Sequence, residues 1–223
     1  MHLVAIDDDE ALLWSGGAFR DWQQEHIDRA DAARQSLSVE DYQRDLTRLL
    51  DRHYLRADTP QGGSGFGRSA EEWRDRREHV AHAIDHDGTF LDVGCANGFL
   101  AESVVGWCAE RGVHVEAFGV DISPALVERA RQRLPQWDDR FWVGDALTWT
   151  PPRRFDVVHA LLDFVTREHR RRMIDNLLTW VEPGGRLVIS HYGALERARD
   201  VVTDLGYEID GEVGHGVWLR KAE

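Results

Sequence analysis

The chain has 223 residues, of which 42% are hydrophobic, and its 40 acidic and 27 basic residues give a formal charge of −13. This length and apolar content are enough to bury a sizeable core. Proteins that wrap nucleic acid normally need a basic face, because neutralised phosphates supply most of their affinity. The basic triplet Arg170, Arg171 and Arg172 is more typical of a solvated helix face. We therefore expect neither nucleic acid nor an anionic membrane as a partner.

The spacing of the cysteines and the pattern of the N-terminal residues give expectations about the cellular compartment and about metal binding. Cys95 and Cys108 have neither metal-ligand nor CxxC spacing, which predicts two buried thiols in a reducing compartment. The sequence begins without a charged and apolar leader pattern, and no apolar run approaches membrane-spanning length. We therefore expect a cytoplasmic protein without a metal site.

The first part of the sequence predicts helices. Residues 7–36 include Trp14, Phe19 and Trp22 at weakly helical spacing. Ser38 and Asp41 resemble a capping box that begins a second helix. The apolar stripe of that helix consists of Val39, Tyr42, Leu46, Leu49 and Leu50. We treat residues 1–67 as one N-terminal extension and residues 68–223 as the main domain.

A glycine-rich segment follows, over residues 60–67, and predicts a mobile loop without regular structure. Ser69 and Glu72 then predict the capped start of a third helix. The residues of this helix expected to face inward are Trp73, Val80, Ala81 and Ile84. His79, His82 and His86 recur on one helical face, for which a solvated surface is a better interpretation than a metal site.

From about residue 88 the pattern alternates between short apolar strands and amphipathic helices. The predicted strands are Thr89–Val93, Val115–Val120, Arg140–Val143, Phe155–His159, Arg186–Ser190, Tyr207–Glu212 and Val217–Arg220. The predicted helices are Phe99–Arg111, Pro124–Leu134, Arg167–Trp180 and Ala194–Leu205. This order predicts a doubly wound α/β fold, with a seven-stranded, mostly parallel sheet and an antiparallel edge hairpin.

The first strand of this domain runs into a glycine turn and a helix start. Gly94 and Gly98 would let a ligand approach the backbone at the helix N-terminus. Asp121 ends the second strand and is placed to accept hydrogen bonds from two ribose hydroxyls. Separately, the glycine turn and Asp121 could be only a tight turn and a helix cap. A nicotinamide site shares this geometry, but Phe99 stands where its fingerprint needs a small residue.

The segments LDVGCANGFL, FGVDISPALVERARQRL, GDAL, FDVVHALLDF and EPGGRLVIS occur in that order between residues 88 and 221. In this order the sequence resembles the class I S-adenosylmethionine-dependent methyltransferases. The resemblance implies S-adenosyl-L-methionine as the cofactor and methyl transfer as the activity. Residues 1–67 are too short to bury much core alone, so we expect them to form a helical lid that completes the pocket for the methyl acceptor; the alternative is a permanently docked helical pair that only stabilises the sheet.

The resemblance assigns cofactor-binding roles to eleven residues. The methionine part would be cradled by Asp92, Gly94, Cys95, Ala96 and Gly98. The ribose would be held by Asp121, and the adenine would contact Ile122, Asp145, Ala146 and Leu147. The backbone near Ala160 would meet the methionine ammonium. Ala96 departs from the family's middle glycine, and alanine would be strained there if the position needs a positive φ.

The acceptor is expected above the carboxyl ends of the fourth and fifth strands. The candidates there are His159, Asp163, His191 and Tyr192. We name Asp163 and His191 as the catalytic candidates, although each has a structural alternative as a capping or hydrogen-bonded residue. His191 could act as a base if the acceptor is protonated.

We expect a small-molecule acceptor that is methylated on oxygen or nitrogen. Three alternatives stay open: methylation of a protein or RNA, a cofactor-binding scaffold without turnover, and a nicotinamide oxidoreductase. The sequence predicts no oligomeric state.

Overall fold

A computed structural model describes residues 39–66, 69–191 and 195–222. The expectations for Trp14, Phe19 and Trp22, the Ser38 cap and Tyr192 lie outside the described residues, as do those for the side chains of Tyr42 and Leu49.

Seven strands form one sheet in the order β3-β2-β1-β4-β5-β7-β6. The strands are β1 Gly88–Val93, β2 Val115–Asp121, β3 Phe141–Val143, β4 Phe155–Leu161, β5 Val181–Ser190, β6 Gly211–Val213 and β7 Gly216–Arg220. The pairs among β1 to β5 are parallel, whereas β7 is antiparallel to β5 and to β6. The predicted fold class is therefore confirmed.

Seven α-helices lie in the described part of the chain. They are α1 Val39–Tyr54, α2 Ala70–Arg77, α3 His79–His82, α4 Phe99–Glu110, α5 Pro124–Arg133, α6 Arg167–Trp180 and α7 Leu195–Asp204. The predicted capping box at Ser69 and Glu72 begins α2, and the Ser123 hydroxyl accepts from the Leu126 N–H at the start of α5. No helix among the described residues is long and apolar enough to cross a membrane.

The core lies on both faces of the sheet because the parallel strands are apolar on both sides. One cluster packs α6 and α7 against the sheet, with Trp180 and Leu177 buried. The other packs α3, α4 and α5 on the opposite face, around Phe90 and Phe141. Both cysteines are buried, as predicted. This arrangement leaves the carboxyl ends of β1, β2 and β4 facing α1.

Several local predictions are wrong. The third helix is split into α2 and α3, and His79 is buried rather than solvated. Arg170 is also buried, so the arginine triplet is not a wholly solvated face. The sixth strand is Gly211–Val213 instead of Tyr207–Glu212, and β5 begins at Val181 instead of Arg186.

The glycine-rich segment is not an unstructured loop. Residues Gly62–Ser64 form a turn of 3₁₀ helix. A Cβ on Gly63 would lie 2.5 Å from the side-chain nitrogen of Asn97. The Ser64 hydroxyl donates to Asn97 Oδ1 at 2.6 Å, and Asn97 Nδ2 donates to the Pro60 carbonyl at 2.8 Å. The glycine therefore permits close packing against the turn after β1.

Candidate functional site

The glycine turn after β1 has a backbone that most side chains cannot adopt. Gly94 has φ 81° and Gly98 has φ 75°, both in the left-handed region. Ala96 lies between them at φ 47° and is the single non-glycine residue with positive φ in the described part of the chain. The strain expected from alanine at the middle position is therefore present, at a cost of about 1–2 kcal/mol.

Asp121 joins this turn to the start of α5. Its Oδ2 accepts from the Ala96 N–H at 2.8 Å, and its Oδ1 accepts from the Ser123 N–H at 2.9 Å. Burial raises the pKa of Asp121 to about 6, further raised by Asp51 and Asp92 and opposed by these two hydrogen bonds. Each carboxylate oxygen keeps a further lone pair for a ligand. The N-cap of α5 is Ser123 and not Asp121.

Asp145 lies in the loop that follows β3. Its Oδ1 accepts from the Leu147 N–H at 2.9 Å and from Gln43 Nε2 of α1 at 3.0 Å. The neighbouring Ala146 carbonyl accepts from Asn176 Nδ2 at 2.7 Å, which ties this loop to α6. Ile122 is 38% exposed at the same edge of the sheet, so it offers an apolar surface beside Asp145.

One cavity of about 1150 Å³, including its open mouth, brings most of the predicted cofactor residues together. Nine of the eleven line it: Asp92, Gly94, Cys95, Ala96, Asp121, Ile122, Asp145, Ala146 and Leu147. Gly98 and Ala160 lie outside its wall. Gly98 instead allows close packing, because a Cβ there would lie 2.9 Å from the Phe141 ring.

Helix α1 forms the opposite wall of this cavity, whereas the sequence predicted the N-terminal helices only beside the acceptor and not beside the candidate cofactor residues. Its lining residues are Gln43, Leu46, Thr47, Leu50, Asp51 and Tyr54. Leu50 and Tyr54 pack around Ala96 and Leu126, next to the glycine turn. Burial raises the pKa of Asp51, and a hydrogen bond with Ser123 partly opposes this rise. The predicted stripe of Leu46 and Leu50 was the one signal of this wall, but it gave no information about the partner.

The two catalytic candidates lie close to each other. His191 Nδ1 is 3.2 Å from Asp163 Oδ1, and both side chains are buried. Neither residue lines the cavity, although Phe164 and Val165, which directly follow Asp163, do. The pair is therefore placed behind the cavity wall at this end. His159 does line the cavity and bonds to Asp92.

The chain is similar to known methyltransferases in sequence. A family model described as a methyltransferase domain matches residues 90–185. Malonyl-[acyl-carrier protein] O-methyltransferase 1 of Ilyobacter polytropus is 22% identical over 149 residues, covering 65% of this chain and 54% of the relative. Trans-aconitate 2-methyltransferase of Methylobacterium radiotolerans is 33% identical over 99 residues, covering 44% and 36%. The matches thus span about half, or less, of these relatives.

The fold is also that of solved methyltransferase structures. The N-methyltransferase NodS of Bradyrhizobium japonicum, in complex with S-adenosylhomocysteine, has a TM-score of 0.57 at 19% identity, covering 79% of this chain and 98% of NodS. A methyltransferase from Aquifex aeolicus has a TM-score of 0.53 at 15% identity, covering 76% and 97%. These likenesses concern the fold. Together with the ordered motifs and the family match over residues 90–185, the shared fold makes the chain similar to the class I S-adenosylmethionine-dependent methyltransferases.

Proposed function

We propose that this protein binds S-adenosyl-L-methionine and transfers its methyl group to an oxygen or nitrogen of a small molecule. The observation that carries the proposal is the cavity in which the strained glycine turn, Asp121 and Asp145 come together. The positive φ angles of the turn and the ligand-facing carboxylates fit a cofactor with a ribose and an adenine. Methyltransferase relatives support the same activity.

The bound cofactor would supply an activated methyl group on a sulfonium, so the protein needs mainly to orient the acceptor and exclude water. In this proposal Asp121 accepts from the ribose hydroxyls, and Asp145 accepts from the adenine amino group. The backbone of Gly94 and Ala96 approaches the methionine part. A base is needed only if the acceptor is protonated at neutral pH.

A small acceptor is supported by the lining of the cavity. The part near β4 is apolar and includes Leu161, Phe164, Val165 and Met173. We place the acceptor at this end. Asp163 and His191 stay the candidates that position it, because they adjoin Phe164 and the end of β5 respectively.

Cofactor identity is tested by thermal unfolding with S-adenosylhomocysteine, the product form of the cofactor. At about 100 times its dissociation constant it is expected to add about 2.7 kcal/mol to the free energy of unfolding. For a chain of this length the melting temperature should rise by roughly 5–10 °C. NAD is the control ligand, since Phe99 stands where a nicotinamide fingerprint needs a small residue. A shift with NAD and none with S-adenosylhomocysteine would contradict the proposal.

Binding of S-adenosylhomocysteine should weaken when the pH falls below about 6. The pKa of Asp121 is about 6, and the groups facing this carboxyl are Asp51, Asp92 and Cys95. Ionised Asp121 accepts hydrogen bonds on both oxygens. Its contribution to the affinity for S-adenosylhomocysteine is therefore present above this pKa and is lost as the pH falls through it. At pH 5 Asp121 is ionised in roughly a tenth of the molecules, which predicts that S-adenosylhomocysteine binds about tenfold more weakly than at neutral pH, as measured by calorimetry.

The matched variant is Asp51→Asn, which removes a negative charge facing Asp121. It should move the midpoint of this pH dependence to a lower value. Affinity that stays constant from pH 5 to pH 8 in the unmodified protein would show that Asp121 does not govern binding.

A further inference from the structure

A chain of four buried polar side chains runs across the middle of the sheet, beneath the cofactor cavity. His159 Nδ1 is 3.0 Å from Asp92 Oδ1, and His159 Nε2 is 3.2 Å from Ser190 Oγ. Ser190 Oγ is 2.9 Å from His79 Nε2. All four residues are at most 5% exposed. Asp92 and His159 line the cavity, whereas Ser190 and His79 lie outside its wall.

The strands and the edge hairpin hold this chain in place. Asp92 of β1 is the register partner of His159 of β4, and Ser190 ends the adjacent strand β5. Gly216 pairs with Ser190, and a Cβ on it would lie 3.0 Å from Ser190 Oγ. Gly214 has φ 52° and contacts the His79 side chain so closely that a Cβ would overlap it. Gly214 and Gly216, on either side of His215, therefore leave room for the side chains of His79 and Ser190.

The hydrogen bonds have one direction when Asp92 is ionised. Since a carboxylate only accepts, His159 must donate through Nδ1, which leaves Nε2 as an acceptor when the ring is neutral. Ser190 then donates to His159 and accepts from His79 Nε2. Burial and the nearby His159 lower the pKa of His79 to about 3, so His79 is neutral and can hold this proton on Nε2. Each donor among these four hydrogen-bonded side chains therefore points toward Asp92.

We propose that His159 is a positioning residue for the cofactor, which orients the Asp92 carboxylate as an acceptor for the amino-acid part, while Ser190 and His79 fix the His159 tautomer. This inference rests on the proposed function. A second histidine and a serine set the tautomer because a neutral imidazole can otherwise carry its proton on either nitrogen. The amino-acid part carries an ammonium cation, whose attraction to a carboxylate is strong in a cavity of low dielectric constant.

The test compares two ligands by calorimetry: S-adenosylhomocysteine, and 5′-methylthioadenosine, which lacks the amino-acid part. His159→Leu should weaken S-adenosylhomocysteine binding at least about tenfold and leave 5′-methylthioadenosine binding within about twofold. His159→Asn should recover most of the lost affinity, because the asparagine N–H can replace the donor at Nδ1. Ser190→Ala should weaken S-adenosylhomocysteine binding about threefold or more.

Ser103→Ala is the matched control, since the Ser103 hydroxyl bonds to Trp73 and Phe99 away from the chain. Equal losses for both ligands, or no recovery in His159→Asn, would overturn the proposal because they indicate a purely structural role. If His159→Leu does not fold, unchanged S-adenosylhomocysteine affinity in Ser190→Ala overturns it. An unmodified protein that binds neither ligand would instead refute the proposed function.

Discussion

Replacing Asp121 with alanine is expected to weaken S-adenosylhomocysteine binding about a hundredfold or more while the protein stays folded. Two ribose hydroxyls that donate to an ionised carboxylate contribute about 1.5–3 kcal/mol each. Asp121 is buried in the cavity wall and already holds the Ala96 and Ser123 N–H groups. The variant therefore loses both the ligand contacts and the anchor of the glycine turn. Calorimetry gives the affinity, and circular dichroism reports the fold.

Asp139→Ala is the control for this experiment, because it removes an exposed carboxylate from the same chain. The Asp139→Ala variant should bind S-adenosylhomocysteine with the same affinity as the unmodified protein. Asp121→Asn adds a second comparison: it keeps the size of the side chain but turns one acceptor oxygen into a donor that faces an N–H group. It should bind nearly as weakly as Asp121→Ala. Unchanged affinity in both Asp121 variants would leave this residue with only the role of anchoring the turn.

The sequence predicts the sheet well because its strands are determined by local pattern. Parallel strands that are buried on both faces need largely apolar runs, and the runs ending at Val93 and Val120 mark two such strands. The side chains that follow these strands meet at one edge of the sheet. For the same reason most of the candidate cofactor residues lie around one cavity. The order of the strands and of the motifs therefore predicts both the sheet and the position of most candidate cofactor residues.

The failed predictions concern residues whose environment comes from distant parts of the chain. His79 is buried through Ser190, more than a hundred residues away, and no helical periodicity indicates that partner. The Gly62–Ser64 turn looks mobile by composition, yet Asn97 holds it in place. Asn97 itself gave no chemical signal in the sequence. In each case a polar side chain satisfies its hydrogen bonds across elements, and local spacing carries no information about such pairs.

Helix α1 was predicted in part: its pattern indicated the helix but not its packing partner. Its amphipathic stripe predicted a helix that packs against another part of the protein, and the structure packs Leu50 of that stripe, together with Tyr54, around Ala96 of the glycine turn. The lid over the acceptor was a separate expectation, based on the short length and the apolar residues of the N-terminal segment. Since α1 lines the end of the cavity formed by Asp121 and Asp145, its effect on cofactor binding and its effect on methyl transfer have to be measured separately.

Deleting residues 1–58 is expected to abolish methyl transfer and to leave a folded protein that still binds S-adenosylhomocysteine more weakly. The two large core clusters are built almost entirely from residues beyond this segment, so the sheet should fold without it. The deletion keeps Thr59 and Pro60, whose carbonyls accept from Gly63 and Asn97. It removes Gln43 and Asp51 from the cavity wall and opens the site to water, which should disrupt orientation of the acceptor.

Methyl transfer from labelled cofactor to the small-molecule fraction of a cell extract measures activity, and calorimetry measures binding. The pair Leu46→Ala and Leu50→Ala tests the same wall without a deletion, because both side chains line the cavity. The matched control is Arg44→Ala with Arg48→Ala, on the exposed face of α1. The leucine variants should lose most of the activity and the arginine variants little. Full activity after the deletion would refute the lid, whereas complete unfolding would mean that α1 serves mainly as support for the sheet.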